Sequence, residues 1–215
     1  MIVLMSAFLL LSAFSCGGGN KANSTSEQSE ETAVNVPQFD ADSAYLYVKN
    51  QVDFGPRVPN TKEHVACGNY LAGQLEAFGA QVTNQYADLI AYDGTLLKAR
   101  NIIGSYKPES KKRIALFAHW DTRPWADNDP DEKNHNTPIL GANDGASGVG
   151  ALLEIARLVN QQQPELGIDI ILLDAEDYGA PQFYTGQHKE EFWCLGSQYW
   201  ARNPHVQGLS LIHIS

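Results

Sequence analysis

Two short apolar runs, Ile114-Ala115-Leu116-Phe117-Ala118 and Ile168-Asp169-Ile170-Ile171-Leu172-Leu173, frame a stretch in which Leu152, Ile155, Ala156 and Val159 recur at i, i+3, i+4 and i+7. That pattern reads as strand, amphipathic helix, strand. Strands buried on both faces are near-continuously apolar, and they occur in sheets covered by helices. The expected fold is therefore α/β: a three-layer sandwich with a central mixed, mostly parallel sheet flanked by helices. Both runs are read as inner strands, and both end in polar clusters. The first ends in His119-Trp120-Asp121 and the second in Asp174-Ala175-Glu176-Asp177. The helix between them opens with Asn143-Asp144-Gly145. Open α/β sheets bind ligands outside the carboxyl ends of their strands.

The flanking elements fit the same architecture. Residues 40–52 read as a helix, broken by Gly55, Pro56 and Pro59. Thr61 suits a second helix N-cap; Val65, Tyr70, Leu71, Leu75 and Phe78 form its apolar face, and Gly79 ends it. Residues 81–91 and 96–106 read as strands joined through Asp93-Gly94. The polar stretch 121–143 is longer than an ordinary connection, which marks a functional or disordered loop.

Ahead of this domain, residues 1–14 are almost wholly apolar but too short for a ~20-residue transmembrane helix. They read as a secretory signal. Cys16, followed by three glycines, gives residues 1–16 the look of a lipoprotein signal with Cys16 as the lipidated residue. The alternative is an ordinary cleaved signal with an incidental cysteine. Residues 17–37 are too poor in apolar side chains to fold and read as a flexible tether to a domain at 38–208. These features place the protein outside the cytoplasm, as a periplasmic or outer-membrane-anchored bacterial lipoprotein that touches the membrane only through its lipid. The net charge of −10 argues against nucleic acid as a partner. Cys67 and Cys194 either pair or stand as two separate thiols.

Three carboxylates within four residues at a strand end repel one another, and leaving them unpaired near a core is costly. They either point into water or share a cation. If His119, Asp144, Glu176 and Asp177 converge, one imidazole and two carboxylates supply ordinary zinc ligands, and the remaining carboxylate can act as a base. Each residue alone has a plainer reading. Asp144 would serve as an N-cap, His119 as a satisfied strand-end histidine, and Asp121 and Asp127 as solvated loop residues or partners of Arg123. Ser147, in Gly-Ala-Ser-Gly, lacks the spacing of a nucleophile elbow.

In combination, AHWDTRPWAD, ILGANDGASGVGALLEIAR, LLDAEDYG and CLGSQYWA resemble the zinc-dependent aminopeptidase clan that includes the glutaminyl cyclases. The likeness is nearest to bacterial glutaminyl cyclases of the animal type and spans residues 40–208. It implies the zinc aminopeptidase fold and conversion of an N-terminal Gln of peptides to pyroglutamate with release of ammonia. One zinc would polarise the amide carbonyl and Glu176 would shuttle protons. The resemblance further implies Asp144 and Asp177 as metal ligands, with Asp177 standing where the family usually has Glu. His119 would be a second-metal ligand or support the first, and Asp121 would steady His119 from behind. Two alternatives stand beside this. One is a zinc aminopeptidase with two metals; the other is a surface lipoprotein that keeps the fold and only binds. Family members are longer, and their last zinc-binding histidine falls beyond the equivalent of Gly208. Residues 209–215, with His213, match nothing in the family and read as a non-native tail or the first residues of a further strand. On this reading the 215-residue chain is expected to be inactive or poorly folded, its full-length parent active.

Overall fold

The computed structural model describes residues 35–207. The signal with Cys16, most of the tether and the 209–215 tail lie outside them. Helix α1 (Ala41–Asp53) begins where the Asp40 side chain accepts hydrogen bonds from the Asp42 and Ser43 amides. Helix α2 (Lys62–Ala77) begins where Thr61 accepts from the His64 amide, and Gly79, at φ +80°, ends it. Strands β1 (Gln81–Ile90) and β2 (Leu96–Tyr106) form an antiparallel hairpin. Then come β3 (Arg113–His119), α3 (Ala146–Gln161), β4 (Gly167–Leu173) and α4 (Leu195–Arg202).

The sheet order is β1-β2-β4-β3. β4 is antiparallel to β2 and parallel to β3, so β3-α3-β4 is the strand–helix–strand unit expected. The sheet is mixed, yet two of the three described pairings are antiparallel rather than mostly parallel. The tight Asp93-Gly94 turn can join only antiparallel neighbours, and β2 then lies directly against β4. A second correction concerns β3. Among the described strands it occupies an edge, not an inner position, and Ile114 and Phe117 are 48% and 40% exposed.

Side-chain alternation along β4 builds the layers. Ile168, Ile170 and Leu172 pack with Leu71, Leu75, Val149 and Leu153 beneath α2 and α3. Ile171 and Leu173 turn to the other face and meet Ile103 and Trp200 of α4. Every residue of β4 is buried, which explains its apolar composition apart from Asp169, whose carboxylate is paired with Arg113. Cys67 and Cys194 do not pair; Cys67 is buried in the core under α2.

Candidate active site

Because β3 and β4 are parallel, with His119 opposite Leu173, their carboxyl ends fall side by side. The Trp120 amide extends the ladder by donating to the Leu173 carbonyl at 3.0 Å. The turn before α3 settles onto this end. A β-carbon at Gly145, whose φ is +87°, would lie 2.9 Å from the Asp121 carbonyl oxygen and 3.3 Å from the His119 ring. Glycine therefore permits the close approach. The approach brings His119 Nε2 to 2.9 Å from Asp144 Oδ1. Gly145 occupies the N-cap position and no side chain caps α3, so the N-cap reading of Asp144 falls away.

The acidic loop after β4 is held by the first turn of α4. The Cys194, Leu195 and Gly196 amides donate in succession to the carbonyls of Glu176, Ala175 and Asp174, at 2.9, 3.0 and 3.1 Å. These are donors that a helix N-terminus otherwise leaves without partners. Ala175 and Cys194 both take left-handed backbone conformations to make the match.

The carboxylates then divide. Asp174 is fully buried and structural: it accepts from the Arg100 amide at 2.6 Å and faces His64 Nε2 at 2.9 Å. Burial pushes its carboxyl pKa up, and His64 opposes that. His64 in turn stacks on Trp120, with ring centroids 4.3 Å apart. Asp121 is also fully buried, and its two oxygens accept the Glu176 and Asp177 amides, each at 3.1 Å. Asp121 thus orients the acidic loop more directly than it supports His119, whose Nδ1 lies 3.5 Å from Asp121 Oδ1 and 3.4 Å from Glu176 Oε2. Neither contact has hydrogen-bond geometry, so Nδ1 is buried without a partner.

Asp177 is buried, with Oδ1 3.5 Å from Arg123 Nη1 and Oδ2 lacking any hydrogen-bond partner. Burial, then the charge of Asp121, push its carboxyl pKa up to about 7, against the pull of Arg123. Glu176 keeps 32% of its side chain exposed, and its Oε1 accepts only a weak bond from the Cys194 thiol at 3.4 Å. Burial by itself would lower the His119 pKa, but Asp121, Glu176 and Asp144 overturn this and raise it to about 9. Three carboxylates therefore surround one imidazole. The guanidinium beside Asp177, that of Arg123, is committed to Asp127 at 2.6 and 2.7 Å.

This donor set suits a divalent cation in kind. Asp177 has an orphaned buried carboxylate oxygen, the exposed carboxylate of Asp144 lies beside His119, and zinc accepts both ligand types. Among the described residues, however, no three His, Cys, Asp or Glu side chains converge on one point.

The pairing of Asp127 with Arg123 was one of the sequence readings, but the wider reach of Arg123 and the contacts of the aromatics were not. Arg123 bridges Asp127 and the carbonyls of Asp177, Gly179 and Ala180, and its guanidinium lies over the Trp193 ring at 4.8 Å. The i, i+4 spacing to Asp127 was the available signal. Trp125 and Tyr184 both pack on Tyr92, and Trp125 also meets Tyr178, next to Asp177. No local pattern joins these aromatics, which come from three separate loops.

Solved structures sharing this arrangement include a Bacteroides thetaiotaomicron glutaminyl cyclase bound to N-acetylhistamine. It has a TM-score of 0.80 and 94% identity, over 81% of this chain and 60% of that one. A Zn-dependent exopeptidase from Parabacteroides distasonis gives 0.79 and 63%, over 81% and 60%. Among curated proteins, aminopeptidase YwaD of Bacillus subtilis is 28% identical over 153 residues, covering 69% of this chain and 30% of its own length. The uncharacterized protein YfbL of Escherichia coli is 35% identical over 115 residues, covering 54% and 32%. The chain thus spans 60% of the length of these solved relatives and about a third of the curated ones. The model of Peptidase family M28 matches residues 101–212, over half of the chain and all of the HWD, NDG and AED segments, and the chain belongs to that family.

Proposed function

We propose that this chain carries the proton-transfer and metal-binding portion of a glutaminyl-peptide cyclotransferase. The observation that carries the reading is Glu176, a partly exposed carboxylate held beside Asp177 and His119 by Asp121 and α4, yet itself bound only by a weak thiol donor. A carboxylate so placed can reach substrate without first breaking a strong bond. The likeness to the B. thetaiotaomicron glutaminyl cyclase supports the substrate class, a peptide with N-terminal Gln.

In that reaction the substrate's α-amine attacks its own side-chain amide carbon. A C–N bond forms, the original amide C–N bond breaks, and one proton passes from the amine to the departing ammonia. Attacking and accepting groups belong to one molecule, so proximity is built in. Glu176 takes the amine proton and returns one to the leaving nitrogen. Asp144 and Asp177 would hold zinc, which supplies Lewis-acid polarisation of a carbonyl oxygen when bound. His119 fixes the Asp144 carboxylate through their 2.9 Å contact. We further place the protein outside the cytoplasm, anchored through Cys16, on the strength of residues 1–16.

The test uses the longest reading frame that contains these residues, assayed for ammonia release from a Gln-initiated dipeptide amide. Activity is expected to be chelator-sensitive, and Glu176→Gln should lower kcat by about 10²–10⁴-fold. A second reading has its own support. His119 lies 2.9 Å from Asp144, and in an aminopeptidase these two residues would help hold a second metal. Free amino acid released from ordinary peptides, without ammonia from the Gln substrate, would select that reading.

A further inference from the structure

Arg57 is wholly buried in the described structure, and no carboxylate among the described residues lies within ion-pair distance of it. A buried charge without a counter-ion is costly, and an apolar residue of similar volume would fill the space without that cost. Its guanidinium instead donates to three main-chain carbonyls. Nε reaches Trp120 O at 3.2 Å, Nη1 reaches Leu140 O at 2.6 Å, and Nη2 reaches Gly141 O at 2.8 Å. The first carbonyl sits between His119 and Asp121. The other two lie on the segment that leads into Asp144. Gly141 O also accepts the Ala146 amide at 3.2 Å, closing the turn that carries Asp144. Arg57's own carbonyl accepts the Thr122 amide at 3.2 Å, so its main chain is tied to the same strand end.

From this geometry we infer that Arg57 is a positioning residue that sets the separation of His119 and Asp144. Its planar fork is rigid, and it spans the β3 end and the α3 entry with one side chain. Farther from the site, the Ile139 amide donates to the Arg123 carbonyl at 3.1 Å. Arg57 adds a tie directly between the residue after His119 and the turn that carries Asp144. Gly141, at φ +58°, completes the fit, since a β-carbon there would lie 3.0 Å from Nη2. The inference rests on the reading of Asp144 as a metal ligand for its consequence, but not for its geometry.

The decisive variant is Arg57→Lys, which keeps the charge but can satisfy fewer of the three carbonyls. Three readouts are compared with wild type: Zn²⁺ affinity by chelator competition, kcat and KM on the Gln dipeptide amide, and the His119–Asp144 separation in a crystal structure of the metal-free protein. We expect Zn²⁺ affinity to fall by about 10–100-fold, as when supporting groups behind metal ligands are removed. kcat should fall with KM little changed, and the 2.9 Å contact should open. Leu75→Ala, a core truncation remote from the site, should lower Tm comparably and leave Zn²⁺ affinity within about twofold. Arg57→Ala should recover Zn²⁺ affinity when millimolar guanidinium is added to fill the vacated space. Loss of Tm in Arg57→Lys with unchanged Zn²⁺ affinity and an unchanged His119–Asp144 contact would overturn the inference and leave Arg57 a stability residue. A wild-type protein that binds Zn²⁺ but releases no ammonia would sink the cyclase reading alone. One that binds no Zn²⁺ would sink the metal reading, and the crystallographic separation would still decide for or against Arg57.

Discussion

Gly196 carries no functional group, yet the acidic loop depends on it. A β-carbon there would land on the Asp174 carbonyl oxygen and lie 2.7 Å from Asn101 Oδ1. Neither neighbour is free to yield, because Asn101 accepts from the Asp174 amide at 2.9 Å and donates to the Gly196 carbonyl at 3.0 Å. Gly196→Ala should therefore destabilise the protein by about 1–3 kcal/mol, the usual cost of overpacking, and displace Glu176 as well. Thermal unfolding should show a Tm lower by several degrees, with ammonia release falling further than the Tm loss explains. At this scale the sequence was most legible where chemistry is local. The placing of His119 against Asp144 and Glu176 followed from residue types at strand ends. What Asp144 does not do, cap α3, needed the positive φ of Gly145, which a sequence does not display. Arg57 and Gly196 were invisible because their partners are backbone atoms distant in sequence.

Between elements, the parallel pairing of β3 with β4 is fastened at its start by Arg113 and Asp169. Both side chains are almost wholly buried, and the guanidinium meets the carboxylate at 2.6 and 2.7 Å. Burial would raise the Asp169 pKa, but His205, Arg113 and Ser105 together hold it well below the usual carboxylate range. Arg113 is the strongest of the three, since His205 Nε2 lies 3.4 Å away and outside hydrogen-bond geometry. A depressed carboxylate pKa gives stability that is fully present above the unfolded value of about 4 and is lost as pH falls through the folded value. Asp169→Asn should cost about 3–5 kcal/mol at neutral pH, because it strands a buried guanidinium. Urea titrations at stepped pH should show this gap constant above about pH 5 and shrinking below about pH 4. A gap that widens on acidification would contradict the assignment. Element boundaries were readable from apolar periodicity and caps. Strand order was not, because the same apolar run serves an inner or an edge strand, and only the β2–β4 contact decides which neighbours are antiparallel.

For the molecule as a whole, β3 is the exposed border of the described sheet. An edge strand presents unpaired amides and carbonyls, and proteins usually blunt such edges with charge, proline or cover. The charged side chains of β3 stand at its two ends, Arg113 turned inward onto Asp169 and His119 set among the site carboxylates. Ile114 is half exposed on this border, and Phe117 is exposed although it packs edge-on against Trp200. The 215-residue chain is therefore expected to self-associate through β3 at micromolar concentration, visible as concentration-dependent sedimentation. Ile114 is the better probe, since no aromatic contact is lost with it. Ile114→Lys places a solvated charge on the border and should return the chain to a monomer while leaving Tm within about 1 kcal/mol of its parent in stability, as surface changes usually do. Association that persists unchanged in Ile114→Lys would move the interface elsewhere, and the aromatic group around Tyr92 and Trp125 would then be the next surface to alter. If the variant is monomeric and releases no ammonia, self-association is not what limits its activity. The donor set, of which no three side chains come together among the described residues, then becomes the limiting feature.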